Sequence, residues 1–508
     1  MSAQFKIKKY MMEKLYKALS IILSLYISQI EKNSLGELPE KYKLIVEGKV
    51  NMNDFSDDEI MALLTDAMIF LKEYSEKTQM RINNAVGNGN TNFQLKDGID
   101  SKLFEVIISR DLISEDSELN DGNETYNFQA RFTSTSKEYS TYGFAELQKI
   151  WPDIKGERIG AKITKRAISA VIIAASIISR KIHTYDQLCM SADPHMVTSG
   201  SKKSIARAQL KLKNLKLNLA ENTTIAECFG RSGIITIKNM HLFTKAILGD
   251  INENFVNFYK ILIKYPMAVT QGILRKLIDF GLYDEHGKPK YQKVNNEGES
   301  NAKYTDEDKN EIKDKMKDIF NYAKDNMSAF YNDMKPIEKI DAAVNHYLLV
   351  NTSYDGCMES SSYNTNASIV RGYEKMQNDL MLASIALTNV IYEVADYKKT
   401  IKKIMNDPNA LLIVDPPYLR LFLIGYKYEG NDFTTKDMKE LFDLLKRAKC
   451  KVVFFHSHNW RISTMCEAAG LKFGGSYYDG YATDVFTKNI SEEEQIFIQK
   501  ELKQVNVE

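Results

Sequence analysis

Four times in its second half, this chain runs through a short apolar stretch and stops at an acid. The stretches are 223–226 before Glu227, 246–249 before Asp250, 389–395 before Asp396 and 410–414 before Asp415. Short apolar runs bounded by turn signals read as buried strands, and the helical patterns between them predict βαβ units on a parallel sheet. In such a sheet the carboxyl ends of the strands line one crevice, so the four acids would converge on a single site. Each acid also has a plainer explanation, since aspartate readily caps a helix N-terminus and many strand-to-helix turns contain glycine. The joint pattern is much more specific than any of its members.

The last run carries the sharpest signal, Asp415-Pro416-Pro417-Tyr418. Two prolines forbid helix and further sheet pairing, so the chain must leave the sheet in a rigid, extended turn. That turn holds a carboxylate and backbone carbonyls beside an aromatic face, an arrangement suited to a planar amino group. The composition yields such an acid-Pro-Pro-Tyr string with an expectation of roughly 0.001. Standing alone, the tetrapeptide is also compatible with a simple Pro-Pro turn after a strand.

The other acids sit in compatible surroundings. Glu227 opens the segment Glu227-Cys228-Phe229-Gly230-Arg231-Ser232-Gly233, whose glycines let backbone approach a ligand while the acid accepts from hydroxyls or an ammonium. Asp250-Ile251-Asn252 precedes an amphipathic helix through Phe255, Phe258 and Ile261, and an acid at the end of a second strand suits ribose hydroxyls. Asp396 is followed by Tyr397. Further on, Thr434 and Thr435 can cap a helix whose Met438, Leu441, Phe442 and Leu445 are spaced as core residues. Residues 451–455 predict the next buried strand, and Gly470 a helix C-terminal cap. The Tyr478-Asp479-Gly480-Tyr481 turn predicts a closing hairpin that adds antiparallel strands at the sheet edge.

Composition sets wider bounds. The chain has 508 residues and a formal net charge of +1, enough length for two to four domains and too little charge for a generally basic surface. Its five cysteines form no CxxC pair, which argues for a reducing compartment and against a zinc ribbon. His456 and His458 would share a strand face, but no third ligand accompanies them, so no metal is expected. Two apolar stretches, 18–30 and 167–178, fall short of the ~20 residues needed to span a bilayer and read as buried helices. A cytoplasmic protein without membrane contact is the expectation. Residues 1 to about 80 read as helical, 83–90 as a turn-rich linker, 111–124 as a loop and 126–133 as short strands. Residues 201–216, with six basic side chains and no acid, read as an amphipathic helix with a solvated basic face.

Taken together, these residues resemble the Dam-type (D12 class) DNA adenine-N6 methyltransferases, over roughly residues 196–490 and in motif order as well as content. Ser199-Gly200-Ser201-Lys202 is similar to that family's Gly-Gly-Lys element, and Glu227 to Gly233 to its Glu-Pro-Phe-x-Gly-x-Gly motif, with Cys228 replacing proline and Arg231 in the first-glycine slot. Asp250-Ile251-Asn252 resembles the ribose-binding segment, Asp396-Tyr397 the pair beside the cofactor adenine, and Tyr354-Asp355-Gly356 an aromatic-Asn-Gly segment. A Ser/Asn-rich stretch reaching Arg371 resembles a DNA-facing hairpin; a plain surface arginine is the alternative for Arg371.

The resemblance implies an α/β, Rossmann-like methyltransferase sheet with helices on both faces. It implies a catalytic domain in two pieces, 196–261 and 349–495, with an inserted, mainly helical target-recognition subdomain at 262–348. Residues 1–190 lie outside the family pattern and are expected to form a helical or α+β accessory module, with a protein partner or nonspecific DNA as its target. The implied cofactor is S-adenosylmethionine, held by Lys202, Glu227, Phe229, Gly230, Gly233, Asp250, Ile251, Asp396 and Tyr397. The implied substrate is an adenine flipped from double-stranded DNA, with Asp415, Pro416, Pro417 and Tyr418 catalytic, Tyr354 and Arg371 touching DNA, and no metal. A monomer in a DNA-methylation, restriction-modification setting is expected. Two alternatives stay open: the same chemistry on cytosine N4 or an RNA base, and a catalytically quiet nucleic-acid-binding protein on the same fold.

Overall fold

The four apolar runs become neighbouring strands of one sheet. The computed structural model describes residues 15–25, 40–50, 55, 57–87, 99–109, 170–194, 223–231, 233–284, 288–291, 305–327, 334–353, 373–417, 433–478 and 482–496. Its strands are β1 (Thr224–Glu227), β2 (Lys245–Asp250), β3 (Val390–Val394), β4 (Leu411–Val414), β5 (Lys451–Ser457), β6 (Lys472–Tyr478) and β7 (Ala482–Lys488). They form one seven-stranded mixed sheet in the order β3-β2-β1-β4-β5-β7-β6. The first five run parallel, and β7 enters antiparallel between β5 and β6. The expected hairpin at the sheet edge is therefore present, with its second strand inside the first.

The runs of β1, β2 and β4 read as continuously apolar because both faces of these strands are covered, whereas Ile391 and Val394 of the edge strand β3 remain exposed. Successive residues serve opposite cores: Ile225, Leu411, Ile413, Val453 and Phe455 belong to one cluster, and Ala226, Leu412, Val414, Val452 and Phe454 to the other. Between β1 and β2 lies a short helix, Ile234–Asn239. The long crossover from β2 to β3 is mainly helical among its described residues: Glu253–Lys264, Pro266–Asp279, Asp306–Asp325, Pro336–Thr352 and Tyr373–Ala386. These pack on the first face, with Phe255, Phe258, Leu348 and Leu380 in its core. Tyr397–Ile404, Thr435–Arg447 and Trp460–Ala468 cover the second, with Ile401, Leu441, Leu445 and Ile462 inside.

Nearer the N-terminus, Glu40–Val46, Asp57–Gly87, Ser101–Ser109 and Tyr185–Ser191 are helices. In chain order these thirteen ranges are labelled α1 (Glu40–Val46), α2 (Asp57–Gly87), α3 (Ser101–Ser109), α4 (Tyr185–Ser191), α5 (Ile234–Asn239), α6 (Glu253–Lys264), α7 (Pro266–Asp279), α8 (Asp306–Asp325), α9 (Pro336–Thr352), α10 (Tyr373–Ala386), α11 (Tyr397–Ile404), α12 (Thr435–Arg447) and α13 (Trp460–Ala468). Residues 15–25 and 170–179 are also helical, as the apolar stretches at 18–30 and 167–178 suggest. The linker expected at 83–90 is corrected in its first half: Asn83 to Gly87 continue α2. Asparagine and glycine cost a helix only ~1 kcal/mol or less each, which thirty-one residues of continuous helix absorb. No helix among the described residues is long and apolar enough to cross a membrane.

The N-terminal helices share the first core with the sheet. Ile173, Ile177 and Leu188 lie in the same buried cluster as Leu380 and Ile237. Polar ties reinforce this: Arg180 Nη1 reaches Asp379 Oδ1 at 2.5 Å, and Tyr185 donates from its hydroxyl to the Ala386 carbonyl at 3.3 Å.

The C-terminal signals behave as the sequence predicts. Thr434 caps α12 in a reciprocal box with Asp437, and Met438, Leu441, Phe442 and Leu445 are buried. Gly470 follows α13 with a φ of +78°. The turn-rich and strand-like segments at 111–124 and 126–133, and the basic run at 201–216, lie outside the described residues.

Candidate active site

At the carboxyl ends of β1, β2 and β4 the backbone arranges three of the four acids around one point. The strand register sets them side by side, with Glu227 opposite Leu248 of β2 and Ile413 of β4. Asp250 ends β2, and Asp415 follows β4 by one residue. The next residue after Glu227, Cys228, is fully enclosed and feels all three: burial pushes its thiol well up, and Glu227, Asp250 and Asp415 add to that rise. The thiol is therefore held protonated and serves packing.

Each acid is held differently. Glu227 is buried, and its Oε2 accepts from Thr236 Oγ1 of α5 at 2.7 Å. Asp250 is half-buried and accepts two backbone hydrogens, from Arg231 N to Oδ2 at 3.0 Å and from Asn252 N to Oδ1 at 2.8 Å. Burial raises its pKa, while those N–H groups and the Arg231 charge pull the other way. It does not cap the following helix; Asn252 does, accepting from Asn254 N and Phe255 N. Asp396 is exposed and caps α11, accepting from Lys398 N at 2.7 Å. Asp415 is half-buried, with its Oδ1 shielded from solvent, Pro416 buried and Pro417 half-buried.

The glycine turn joins these pieces. Gly230 N donates to the Gly249 carbonyl at 3.0 Å, tying the turn to β2. Arg231 takes a φ of +28° and Gly233, at the start of α5, a φ of +58°. A Cβ on Gly230 or Gly233 would come within 2.9 Å of the Leu248 side chain. Close packing on β2 is thus the first reason for glycine here, in addition to any approach by a ligand.

An aromatic wall stands beside the turn. Phe229 stacks on Tyr397 with ring centroids 5.4 Å apart, and Phe433 meets both rings edge-on. Tyr397 donates from its hydroxyl to the Asp437 carbonyl at 3.0 Å, and burial, with Asp396 nearby, pushes its pKa up. Ile251, just beyond Asp250, is 49% exposed.

Of the residues read from the sequence, Glu227, Phe229, Gly230, Gly233, Asp250, Ile251, Asp396, Tyr397, Asp415, Pro416 and Pro417 all stand along this edge. Lys202, Tyr354, Arg371 and Tyr418 lie outside the described residues. Thr236 and Phe433 were not singled out by the sequence. Neither belongs to a local pattern: Thr236 lies within an apolar helix, and Phe433 follows a segment with no strong periodicity. On the far side of β4, Asp484 of β7 is 2% exposed and accepts from Ser476 Oγ at 2.6 Å. Its carboxylate also holds His458 Nδ1 at 2.9 Å. His456 is buried beside the Ser457 carbonyl, so the two histidines serve different neighbours. Among the described residues no group of three or more His, Cys, Asp or Glu could hold a metal ion.

The family model for D12 class N6 adenine-specific DNA methyltransferases matches residues 199–501, more than half of the chain. No curated protein matches the sequence.

Proposed function

The chain belongs to the D12 class N6 adenine-specific DNA methyltransferase family, and from that premise we propose that it methylates a flipped adenine in duplex DNA at N6, with S-adenosylmethionine as donor. The observation that carries this reading is the convergence of Glu227, Asp250 and Asp415 on Cys228, where the strand order departs in both directions from β1. Ligands of open α/β sheets bind at such a switch point, outside the carboxyl ends of the strands.

The donor set fits S-adenosylmethionine. Carboxylates accept from ammonium and hydroxyl groups, and the Phe229–Tyr397 stack offers apolar surface to an aromatic base. In this reading Glu227 and Asp250 hold the amino acid and ribose parts, Asp396 the adenine, and Lys202, Gly230, Gly233 and Ile251 complete the site. The cofactor's contribution is an electrophilic methyl group on a sulfonium.

The chain's own residues supply alignment. The adenine N6 nitrogen is a poor nucleophile because its lone pair is delocalised into the ring. Asp415 accepts from one amino hydrogen and the Pro416 carbonyl from the other, which turns the lone pair out of the ring plane. A carboxylate is too weak a base to deprotonate the neutral amine, so proton loss follows alkylation. Pro417 keeps the turn rigid, and Tyr418 stacks on the flipped base. Residues 262–348 form the inserted target-recognition subdomain of the proposal, joined by Tyr354 and Arg371 at the DNA, and residues 1–190 an accessory module whose segment 170–190 also packs into the first core of the sheet.

Transfer of a radiolabelled methyl group to unmethylated duplex DNA tests this reading, with the methylated base identified after digestion. Asp415→Ala is expected to lose at least about a hundredfold in rate while retaining cofactor binding. Equal labelling by that variant removes Asp415 from the mechanism, and labelling of cytosine or of RNA alone redirects the substrate.

A further inference from the structure

β4 divides the ligand edge of the sheet. On one side, at β1, β2 and β3, stand Glu227, Asp250 and Asp396, the residues assigned above to the cofactor. On the other side, β5 is the immediate parallel neighbour of β4, with Val414 opposite Phe454. The chain leaving β5 presents His458, Asn459, Trp460 and Arg461 in succession. Trp460 is 68% exposed, and the Arg461 guanidinium lies over its indole at 5.4 Å. The pair is not on a loose loop: Asn459 caps α13 and accepts from Arg461 N at 3.0 Å. Beside it, the 70% exposed His458 is anchored on buried Asp484.

An indole left in water on the edge of a sheet gains nothing for the fold, and tryptophan combines a broad apolar face with low conformational entropy for binding. A cation stacked on the indole makes a flat, positively charged platform, which suits a base flanked by phosphates. We infer that Trp460 and Arg461 form a DNA contact beside the target pocket, Trp460 stacking on a base and Arg461 bonding a backbone phosphate. The inference rests on the DNA-methylation reading for its ligand, and its residues are separate from those assigned to the cofactor and the amine.

The chain contains two tryptophans, Trp151 and Trp460, so Trp151→Phe leaves Trp460 as the only indole reporter. Titration of that full-length variant with unmethylated duplex fragments is expected to quench its fluorescence and shield it from acrylamide. Trp460→Ala is expected to weaken duplex binding about tenfold or more, Trp460→Phe to restore part of the loss, and Arg461→Ala to reduce the salt dependence of binding by about one counterion. S-adenosylmethionine binding, measured in parallel, stays at the wild-type value in all three. Binding of duplex without quenching, or an unchanged affinity in Trp460→Ala, overturns the inference even if the wild type methylates DNA. Quenching of the Trp151→Phe protein on duplex, with no methyl transfer by the wild type, upholds the contact and sinks the methylation reading instead. Failure of the wild type to bind duplex overturns both.

Discussion

Asp250 shows how one carboxylate can answer pH in two opposite ways. Burial raises its pKa above the ordinary aspartate range, so the folded chain takes up a proton there more readily than the unfolded chain does. Its contribution to stability is therefore greatest at acid pH and is lost as pH rises from the unfolded to the raised folded pKa. In the proposed function Asp250 accepts from ribose hydroxyls best when ionised, so on that reading affinity for S-adenosylmethionine is expected to fall as pH drops through that same raised pKa. Calorimetric titration from neutral to acid pH is expected to show this loss at a higher pH than an exposed aspartate would, and Asp250→Asn to flatten it. An unchanged pH profile in Asp250→Asn would assign the effect to another group. At this scale the sequence was informative where chemistry is local: an acid at the end of an apolar run is visible in the text. Thr236 on Glu227 and Asp484 under His458 were not visible, because each partner arrives from another element. Arg231 was legible as an oddity. The turn keeps a left-handed φ of +28° there although the side chain is not glycine, a strain of about 1–2 kcal/mol.

Between elements, β2 approaches α11 closely at Gly249. A Cβ on Gly249 would lie 2.0 Å from Thr400 Oγ1 and 3.1 Å from Thr400 Cβ. Gly249→Ala is therefore expected to destabilise the fold by about 1–3 kcal/mol through overpacking. Adding Thr400→Ala should recover part of that loss, so a double-mutant cycle in urea unfolding is expected to show coupling between the two sites. Additive losses would show that the strain is relieved elsewhere. Gly249 could be read only as a glycine near a strand end; its reason belongs to a helix that starts about 150 residues later along the chain. The elements themselves were readable from period and caps, as in α12, where Thr434 and Thr435 signal the start and the apolar spacing marks the buried face, although Asp437, the partner in the capping box, was not foreseen. The end of α2 was not, since turn-forming residues at 83–87 are overridden by a long helix that has already run from Asp57.

At the level of the molecule, the parallel half of the sheet was implied by strands alternating with helices, but the strand order was not. No pattern in residues 482–488 tells them to enter between β5 and β6. Nor did the sequence reveal how the N-terminal helices are attached. Arg180, Tyr185 and Leu188 engage α10 or the core it shares, so residues 170–194 act as part of the support for the first face of the sheet. A chain beginning at residue 196 is expected to unfold at a lower temperature and to aggregate, because that face loses part of its cover. Thermal unfolding and size-exclusion chromatography of the shortened chain test this, and a soluble protein with an unchanged midpoint would make 1–195 a true appendage. The position of β7 has a further consequence for biosynthesis. It is the last described strand in sequence yet an interior strand in space, so β5 and β6 have nothing to join them until residues 482–488 leave the ribosome. From the completion of β5 at residue 457 until residues 482–488 are made, the growing sheet carries an open β5 edge, a template for pairing with other nascent chains.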